Sequence, residues 1–450
     1  MSTMGQPEVR TYSHWRRRES VGVRGLGTLG TAIVVFGGLG STLLLLVSLK
    51  AGASAGLMTL LVIGGVTRRD RFGRSLIEKG AERLAWSRTK WQGWHIYRSG
   101  PLGVLPSGQC QLPGLAGPIE AHEAEDSLGR RFVVLYHPKT KHVTTVIRSH
   151  PDGLGLDDQE TVDQRVGQYG QWLYVLGTES GLQGASVTID ASPDPGFRLR
   201  KEVEARQAEN APELSKEIIG GLATKSRTGV SQTSCWIALT WATKTLGGRD
   251  RSLDEVILEI GARLPNQRAM LAATGAGICH SMTATQLAAV MRSAYDPGIA
   301  ATVQEVGADE ADIGWESCGP LEAEEHVGFY THDGWTSTTW EMGIAPRGQV
   351  RETVLARLLE PHTKAPVKRV TLLYRPYDSG ESAKRVDADV DVAHTNLSSR
   401  GGRVRARDEQ NLAAAKKAAA EEASGAGLTR FGLVVTVSVP GEGPEGQREV

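Results

Sequence analysis

Apolar and polar positions fall into two regimes along this 450-residue chain. From Gly25 to Leu49 no side chain is charged, and from Ala51 to Thr67 none is charged again, with Lys50 alone between them. As helices these stretches of about 25 and about 17 residues measure roughly 37 Å and 25 Å, against a hydrocarbon core of about 30 Å. One helix through both would bury Lys50 near the bilayer centre, at about 3 kcal/mol. The pattern therefore predicts two transmembrane spans, with KAGASAG as the turn and Lys50 in water. Arg16, Arg17 and Arg18 lie in the basic flank before the first span, and Arg68, Arg69 and Arg71 in the one after the second. Positive charge on both sides places both termini in the cytoplasm, on a multi-pass protein of the inner (plasma) membrane. A cleaved signal peptide is the first rival, opposed by the length of the apolar region and its second basic flank. A buried soluble helical hairpin is the other. Glycines through both spans suit close packing within the hairpin or against another membrane subunit.

Past Arg68 the pattern turns polar and periodic. RRDRFGRSLIEKGAERLAWSRTKWQGWHIY reads as a basic amphipathic helix at the headgroup level, with Phe72, Leu76, Ile77 and Leu84 on one face. Gly and Pro then make 98–120 irregular. Beyond it, strands are predicted at Arg130–His137, Lys141–Ser149, Ala185–Asp190, Gln232–Ala242, Trp335–Met342, Lys368–Pro376 and Gly432–Val439. Helices are predicted at Asp158–Leu176, through 196–225 with a break near Pro212, and at Leu253–Leu264, Thr283–Tyr295, Gln349–Leu359 and Arg405–Ala423. The expected fold is an α+β cytosolic body preceded by an N-terminal transmembrane helical hairpin. Its parts are a basic N-terminus (1–24), the hairpin (25–67), a juxtamembrane helix (68–97), the body (98–440, with a candidate subdivision near 225–232) and a polar tail (441–450).

Composition changes this picture little. Lys plus Arg and Asp plus Glu are both 51, so the formal charge is zero, which argues against a nucleic-acid-binding surface over the whole protein. No repeat of solenoid or propeller length is found. Cys110, Cys235, Cys279 and Cys318 are scattered without a CxxC, as expected of reduced thiols rather than a disulfide scaffold.

Candidate chemistry is thin. IIGGLATKSRTG is the nearest approach to a phosphate loop, but Thr224 stands where the motif needs glycine and the segment is helical in pattern. Cys279 beside His280 invites a thiol nucleophile, although adjacency in sequence does not supply the geometry. Glu322, Glu324, Glu325, His326, His332 and Asp333 invite metal, yet the stretch reads better as a helix followed by a hairpin turning at Asp333–Gly334. No catalytic, cofactor-binding or metal residue is assigned.

TYSHWRRRES before a glycine-rich hairpin, RSAYDP, the GP…HDGWTSTTWEM block, LLEPHTKAPVKRVTLLYRP and GAGLTRFGLVVTVSV together resemble a family of two-span membrane proteins. That family is actinobacterial and encoded with conjugative-transfer and type IV secretion-like machinery. The resemblance covers most of the chain. It implies a small inner-membrane subunit fused to a body like the non-catalytic amino-terminal domain of the secretion ATPase, with the ATPase a separate chain. The implied role is a non-enzymatic docking component, oligomeric within a complex, whose partners are that ATPase, other membrane subunits and the lipid bilayer, without direct nucleic-acid contact. Within the shared motifs, Tyr295, Asp296, His332, Asp333 and Trp335 are the candidate partner-docking residues. Family members continue past the last strand into an apolar-patterned helix, whereas PGEGPEGQREV follows here, so this chain reads as shortened. Two rivals stand beside this reading: a type VII-like secretion subunit, and a membrane-tethered hydrolase using Cys279 or the His332/Asp333 pair.

Overall fold

The computed structural model describes residues 11–12, 27–68, 75–103, 108–151, 157–194, 202–203, 205–206, 208, 210–225, 231–244, 249–343, 350–362, 364–398, 406–425 and 427–441. Its strands are β1 (Thr11–Tyr12), β2 (Ile96–Arg98), β3 (Glu120–Glu125), β4 (Arg131–His137), β5 (His142–His150), β6 (Leu182–Pro193), β7 (Ser231–Ala242), β8 (Ile278–Ser281), β9 (Glu322–Glu325), β10 (Tyr330–His332), β11 (Trp335–Glu341), β12 (Val350–Arg351), β13 (Val367–Pro376) and β14 (Thr429–Pro440). Its α-helices are α1 (Gly27–Val47), α2 (Leu49–Thr67), α3 (Leu76–Trp91), α4 (Gln159–Thr178), α5 (Glu213–Lys225), α6 (Leu253–Leu271), α7 (Ala284–Tyr295), α8 (Ala300–Val306), α9 (Ala356–Leu359), α10 (Ser379–Ser398) and α11 (Ala406–Ala423). The chain divides into two compact units. One comprises Met1–Trp94, Met342–Val354 and Ala383–Ser424; the other comprises His95–Glu341, Leu355–Ser382 and Gly425–Val450.

In the first unit α1 and α2 form a helical hairpin, but it is not the one expected. The break is the single residue Ser48, extended, whose hydroxyl accepts from the Ala51 amide. Lys50 is therefore inside α2, not in a turn. Gly52 lies on the Leu45 backbone, where a Cβ would sit 2.6 Å from the Leu45 Cα, so glycine sets how closely the helices meet. Among the described residues no helix is long and apolar enough to cross a membrane. The transmembrane hairpin and the multi-pass inner-membrane placement built on it are corrected by that finding. The polar turn expected to separate two spans does not form: Ser48 alone breaks the helix, and α2 opens as LKAGASAG with Lys50 in its first turn. Of the residues assigned to topology, Arg16, Arg17, Arg18, Arg69 and Arg71 lie outside the described residues. Lys50 is exposed in the first turn of α2, and Arg68 is exposed at its C-cap. The amphipathic helix shortens to α3, which starts at a capping box between Ser75 and Glu78. Of the predicted helix Gln349–Leu359, Val350 and Arg351 pair with Tyr12 and Thr11, and α-helix begins only at Ala356.

The second unit is the α+β body, dominated by one antiparallel sheet of 12 strands in the order β2-β9-β10-β11-β14-β13-β6-β7-β5-β4-β3, with β8 pairing β5. Strands are long where β-branched and aromatic residues alternate, as in SQTSCWIALTWA and TRFGLVVTVSVP. α4 starts at Asp158, whose carboxylate accepts from Thr161 N. α6 and α7 start at capping boxes, Ser252 with Glu255 and Thr283 with Gln286. One sheet face buries Phe132, Val143, Ile147, Ile237 and Leu239 against Trp172 and Leu176 of α4 and Val256, Ile260 and Leu264 of α6. The opposite face buries Val133, Val146 and Met282 against Leu287 of α7. Each such side chain contributes about 1.5–3 kcal/mol by leaving water. The helix expected at Glu322–His326 is instead strand β9, held by β2 on one edge and β10 on the other, so backbone pairing overrides the helical preference of EAEE.

The topology occurs twice. β3-β4-β5 is a meander, β6 follows by a crossover, and β7 inserts between β5 and β6; β9-β10-β11, β13 and β14 do the same. β6 and β13 join the two sets as an antiparallel pair.

α6 is clasped to the β3–β4 turn. Pro265 inside the helix lacks the N–H that would bond Gly261 O, and that carbonyl accepts from Ser127 N at 3.2 Å instead. A Cβ on Gly261 would lie 3.1 Å from Glu125 O, so only glycine allows this approach. Below it, Arg268 Nη2 reaches Asp126 Oδ2 at 2.5 Å with both side chains buried, and Arg268 Nη1 donates to Ser281 Oγ at 2.9 Å. Asp126 also accepts from the Leu128 and Arg130 amides. Burial alone would raise its pKa, but these amides and the guanidinium outweigh it and hold the carboxyl below its usual range. Asp126→Ala leaves Arg268 buried and uncompensated, so we expect a loss of about 3–5 kcal/mol, read from urea unfolding. A loss within experimental error of zero would show that the pair does not hold the turn.

Candidate functional site

The five candidate docking residues lie on two elements that the fold brings together: the end of α7 and the β10–β11 hairpin. The hairpin turns on Asp333–Gly334, with φ of 43° and 79°, the positive pair that a tight type I′ turn requires. This turn was legible in HDGW. Asp333 also organises its surroundings. Its Oδ1 accepts from the amides of Leu321 and Glu322 at 2.8 and 3.1 Å, and its Oδ2 accepts from Arg292 Nη1 at 2.6 Å. Arg292 also donates to Gly319 O at 2.9 Å and to Asp296, one helical turn further on, at 3.5 Å.

His332 bridges the same two elements. Its Nδ1 donates to the Tyr295 carbonyl, and its Nε2 accepts from Ser337 Oγ at 2.6 Å. Ser337 Oγ in turn accepts from Ser438 Oγ at 2.6 Å, which ties the hairpin to β14. The assignment of donors follows from a neutral ring. Burial pushes the imidazole below its usual range, against the upward pull of the Tyr295 hydrogen bond and of Asp333. The tyrosines around it are likewise held neutral: burial moves the Tyr295 phenol up to about 12 and raises Tyr330 further, and the nearby Cys318 thiol rises to about 12. Trp335 does not join the bonded network. It takes part through backbone pairing with His332 and Pro440 and is half-buried.

Ser337 and His332 have the spacing of a nucleophile and its base. Both are buried, however, with His332 at 4% exposure, and the hydroxyl sits between two structural partners. Cys279 and His280 are neighbours on β8, so strand alternation sends them to opposite sheet faces. Cys279 lies on the far side of Ser149 from Cys235 in the strand register, and burial raises the Cys235 thiol to about 11. IIGGLATK lies within α5. Among the described residues no three His, Cys, Asp or Glu side chains are grouped so as to hold a metal ion.

Sequence reasoning missed Arg292, Ser337 and Ser438. Arg292 left a signal, an Arg four residues before Asp296 at the end of a predicted helix. The serines left none, since their roles depend on strand pairing. No protein-family model matches the chain, and no curated protein matches it.

Arg292→Ala leaves the Asp333 carboxylate buried without its cation, so stability should drop by about 3–5 kcal/mol. Adding Asp333→Asn should recover part of that loss, which a double-mutant cycle on urea unfolding measures. Additive losses would mean that the two residues do not act as a pair. The folded pKa of His332 lies below its unfolded value of about 6.5, so the unfolded chain binds the proton first. Its contribution is therefore complete above about pH 6.5 and is lost as pH falls through the folded value. The stability gap between the native chain and His332→Gln should narrow from pH 7.5 to pH 5; a constant gap would overturn this assignment.

Proposed function

We propose that this chain is a non-enzymatic docking component of a conjugation or type IV-like secretion apparatus. Its body engages a separate motor ATPase and other subunits of the apparatus within an oligomeric complex. The observation that carries the reading is the meeting of RSAYDP with HDGW, two of the stretches that carry the family resemblance. Arg292 bonds Asp296 and Asp333, and His332 bonds the Tyr295 carbonyl. Side chains capable of chemistry are here used on one another, which fixes the backbone of the hairpin and of the strand before it.

Large apolar side chains stand exposed on that fixed backbone. Leu321 follows the segment bonded by Arg292, and Val327, in the β9–β10 turn, is 74% exposed. Rigid backbone presenting apolar side chains suits a protein partner better than a small substrate. The motor is assigned to another chain because the closest approach to a phosphate loop is wound into α5. A balanced formal charge goes with protein partners rather than nucleic acid.

Affinity purification of the full chain from its own host, read by mass spectrometry, tests this. The expected result is co-recovery of an ATPase carrying a phosphate loop together with other subunits of one transfer machine. Recovery of the chain alone, or with partners unrelated to transfer, would overturn the proposal.

A further inference from the structure

The two sets of strands correspond residue by residue. The β4–β5 hairpin closes on His137 opposite His142, and the β10–β11 hairpin on His332 opposite Trp335. Each of these first histidines bonds a backbone carbonyl that precedes its meander in the chain, Leu115 O for His137 and Tyr295 O for His332. Two residues into the next strand, Thr144 faces Thr240 and Ser337 faces Ser438, and each pair shares a hydroxyl–hydroxyl hydrogen bond. The next strand outward presents Gly184 to Thr240 and Val367 to Ser438. Four residues further along lie Thr188 and Thr371, and these two face one another across the β6–β13 seam, Oγ1 to Oγ1 at 3.0 Å. Register carried outward from two separate hairpins thus closes on a single residue pair. A pseudo-two-fold axis passes through Thr188 and Thr371 and keeps each face of the sheet on its own side.

Equivalent positions can then be compared for burial. In the first repeat Cys235, Ile237 and Leu239 of β7 and Ile147 of β5 lie under α4 and α6 and are fully buried. Their counterparts are Leu433, Val435 and Val437 of β14 and Trp340 of β11. These are equally apolar, yet the β14 residues are only half-buried and Trp340 is 47% exposed, against 0% for Ile147. α6, on the connection that follows β7, supplies much of that cover in the first repeat. Among the described residues of the β11–β13 connection, the only helices are a 3-10 turn, Glu352–Leu355, and the four-residue α9.

We propose that this face of the second repeat docks an amphipathic helix from a partner chain, seated where α6 lies on the first repeat. The first repeat shows what such a face accepts: α6 lays Val256, Ile260 and Leu264 on it, an aliphatic stripe at i, i+4 and i+8. The occupant carries the same stripe. The inference rests on the docking role proposed above and gives it a surface and a partner chemistry.

Photo-crosslinking in the native host tests it, with p-benzoylphenylalanine at Trp340 of the full chain and, as control, at the exposed Thr339 on the opposite face. The expected adduct at Trp340 maps to a helix of another protein with aliphatic residues at i, i+4 and i+8, and Thr339 does not reach it. A synthetic peptide of that helix should bind Trp340→Asp about tenfold or more weakly than the native chain, with the thermal melt unchanged. An adduct only within this chain, only to a second copy, equal at Thr339, or absent would overturn the inference. A mapped helix from a protein outside any transfer machine would sustain the docking face and remove the proposed function. Co-purification of the motor without a Trp340 adduct would do the reverse.

Discussion

The β6–β13 seam is the constraint on which the rest of the body depends. It is the one pairing that links the two five-stranded halves, and it holds seven residue pairs from Lys368↔Ala191 to Tyr374↔Ala185. A slip of one residue would turn every side chain beyond it to the other face, exchanging apolar Val370 and Leu372 for polar Arg369 and Thr371. Two interactions across the seam oppose a slip: the Thr188–Thr371 hydroxyl bond, and the ion pair of Arg369 Nε with Asp190 Oδ1 at 2.8 Å. Asp190 is largely buried and its pKa is raised by that burial, so the pair adds specificity of register more than net stability.

Polar groups elsewhere do similar work. Asp126 with Arg268 and Asp333 with Arg292 each join a turn between strands to a helix, and each Asp also accepts two backbone amides, Asp126 from its own turn and Asp333 from the start of β9. In both places a carboxylate rigidifies a turn and a buried arginine transmits that rigidity to a helix. The arginine's planar fork suits the task, because one guanidinium reaches a carboxylate and a second acceptor at once. Hydroxyl pairs at Thr144–Thr240, Ser337–Ser438 and Thr339–Thr436 play a smaller part of the same kind between strands.

Much of this body was legible in the sequence, and its failures have physical causes. β4, β5, β7, β13 and β14 alternate β-branched and apolar residues, and α4 and α7 begin at the expected caps, so local signals agreed with the fold. β3 reads EAHEAE and β9 reads EAEE, without a β-branched residue between them; they are strands because a neighbour offers its edge. α10, SGESAKRVDADVDVAHTNLS, lacks the apolar stripe that would have announced it. α1 and α2 are helical as their uncharged runs suggest, but the break between them is Ser48 rather than KAGASAG, and no described helix is long and apolar enough to cross a membrane. At the site, the Asp333–Gly334 turn was readable from two residues. Arg292 left only its spacing to Asp296, and the serines behind His332 left nothing, since their partners are up to 101 residues away.

The duplication was invisible for a related reason. Register is conserved between the repeats while side chains are not: Ile147 answers to Trp340, Cys235 to Leu433 and Thr144 to Ser337. A sheet tolerates such exchange because its ladder is built from backbone, and each face asks only for a broad class of side chain. What cannot drift freely is the cover. An apolar face that keeps its aliphatic and aromatic residues while its helices shorten retains a free-energy gain for whatever shields it, at about 25 cal/mol per Å² of apolar surface removed from water. In the first repeat α4 and α6 collect that gain within the chain. In the second, the half-buried valines of β14 and the exposed Trp340 keep it in reserve, so the asymmetry between the repeats, rather than their likeness, is where this protein has a surface to offer.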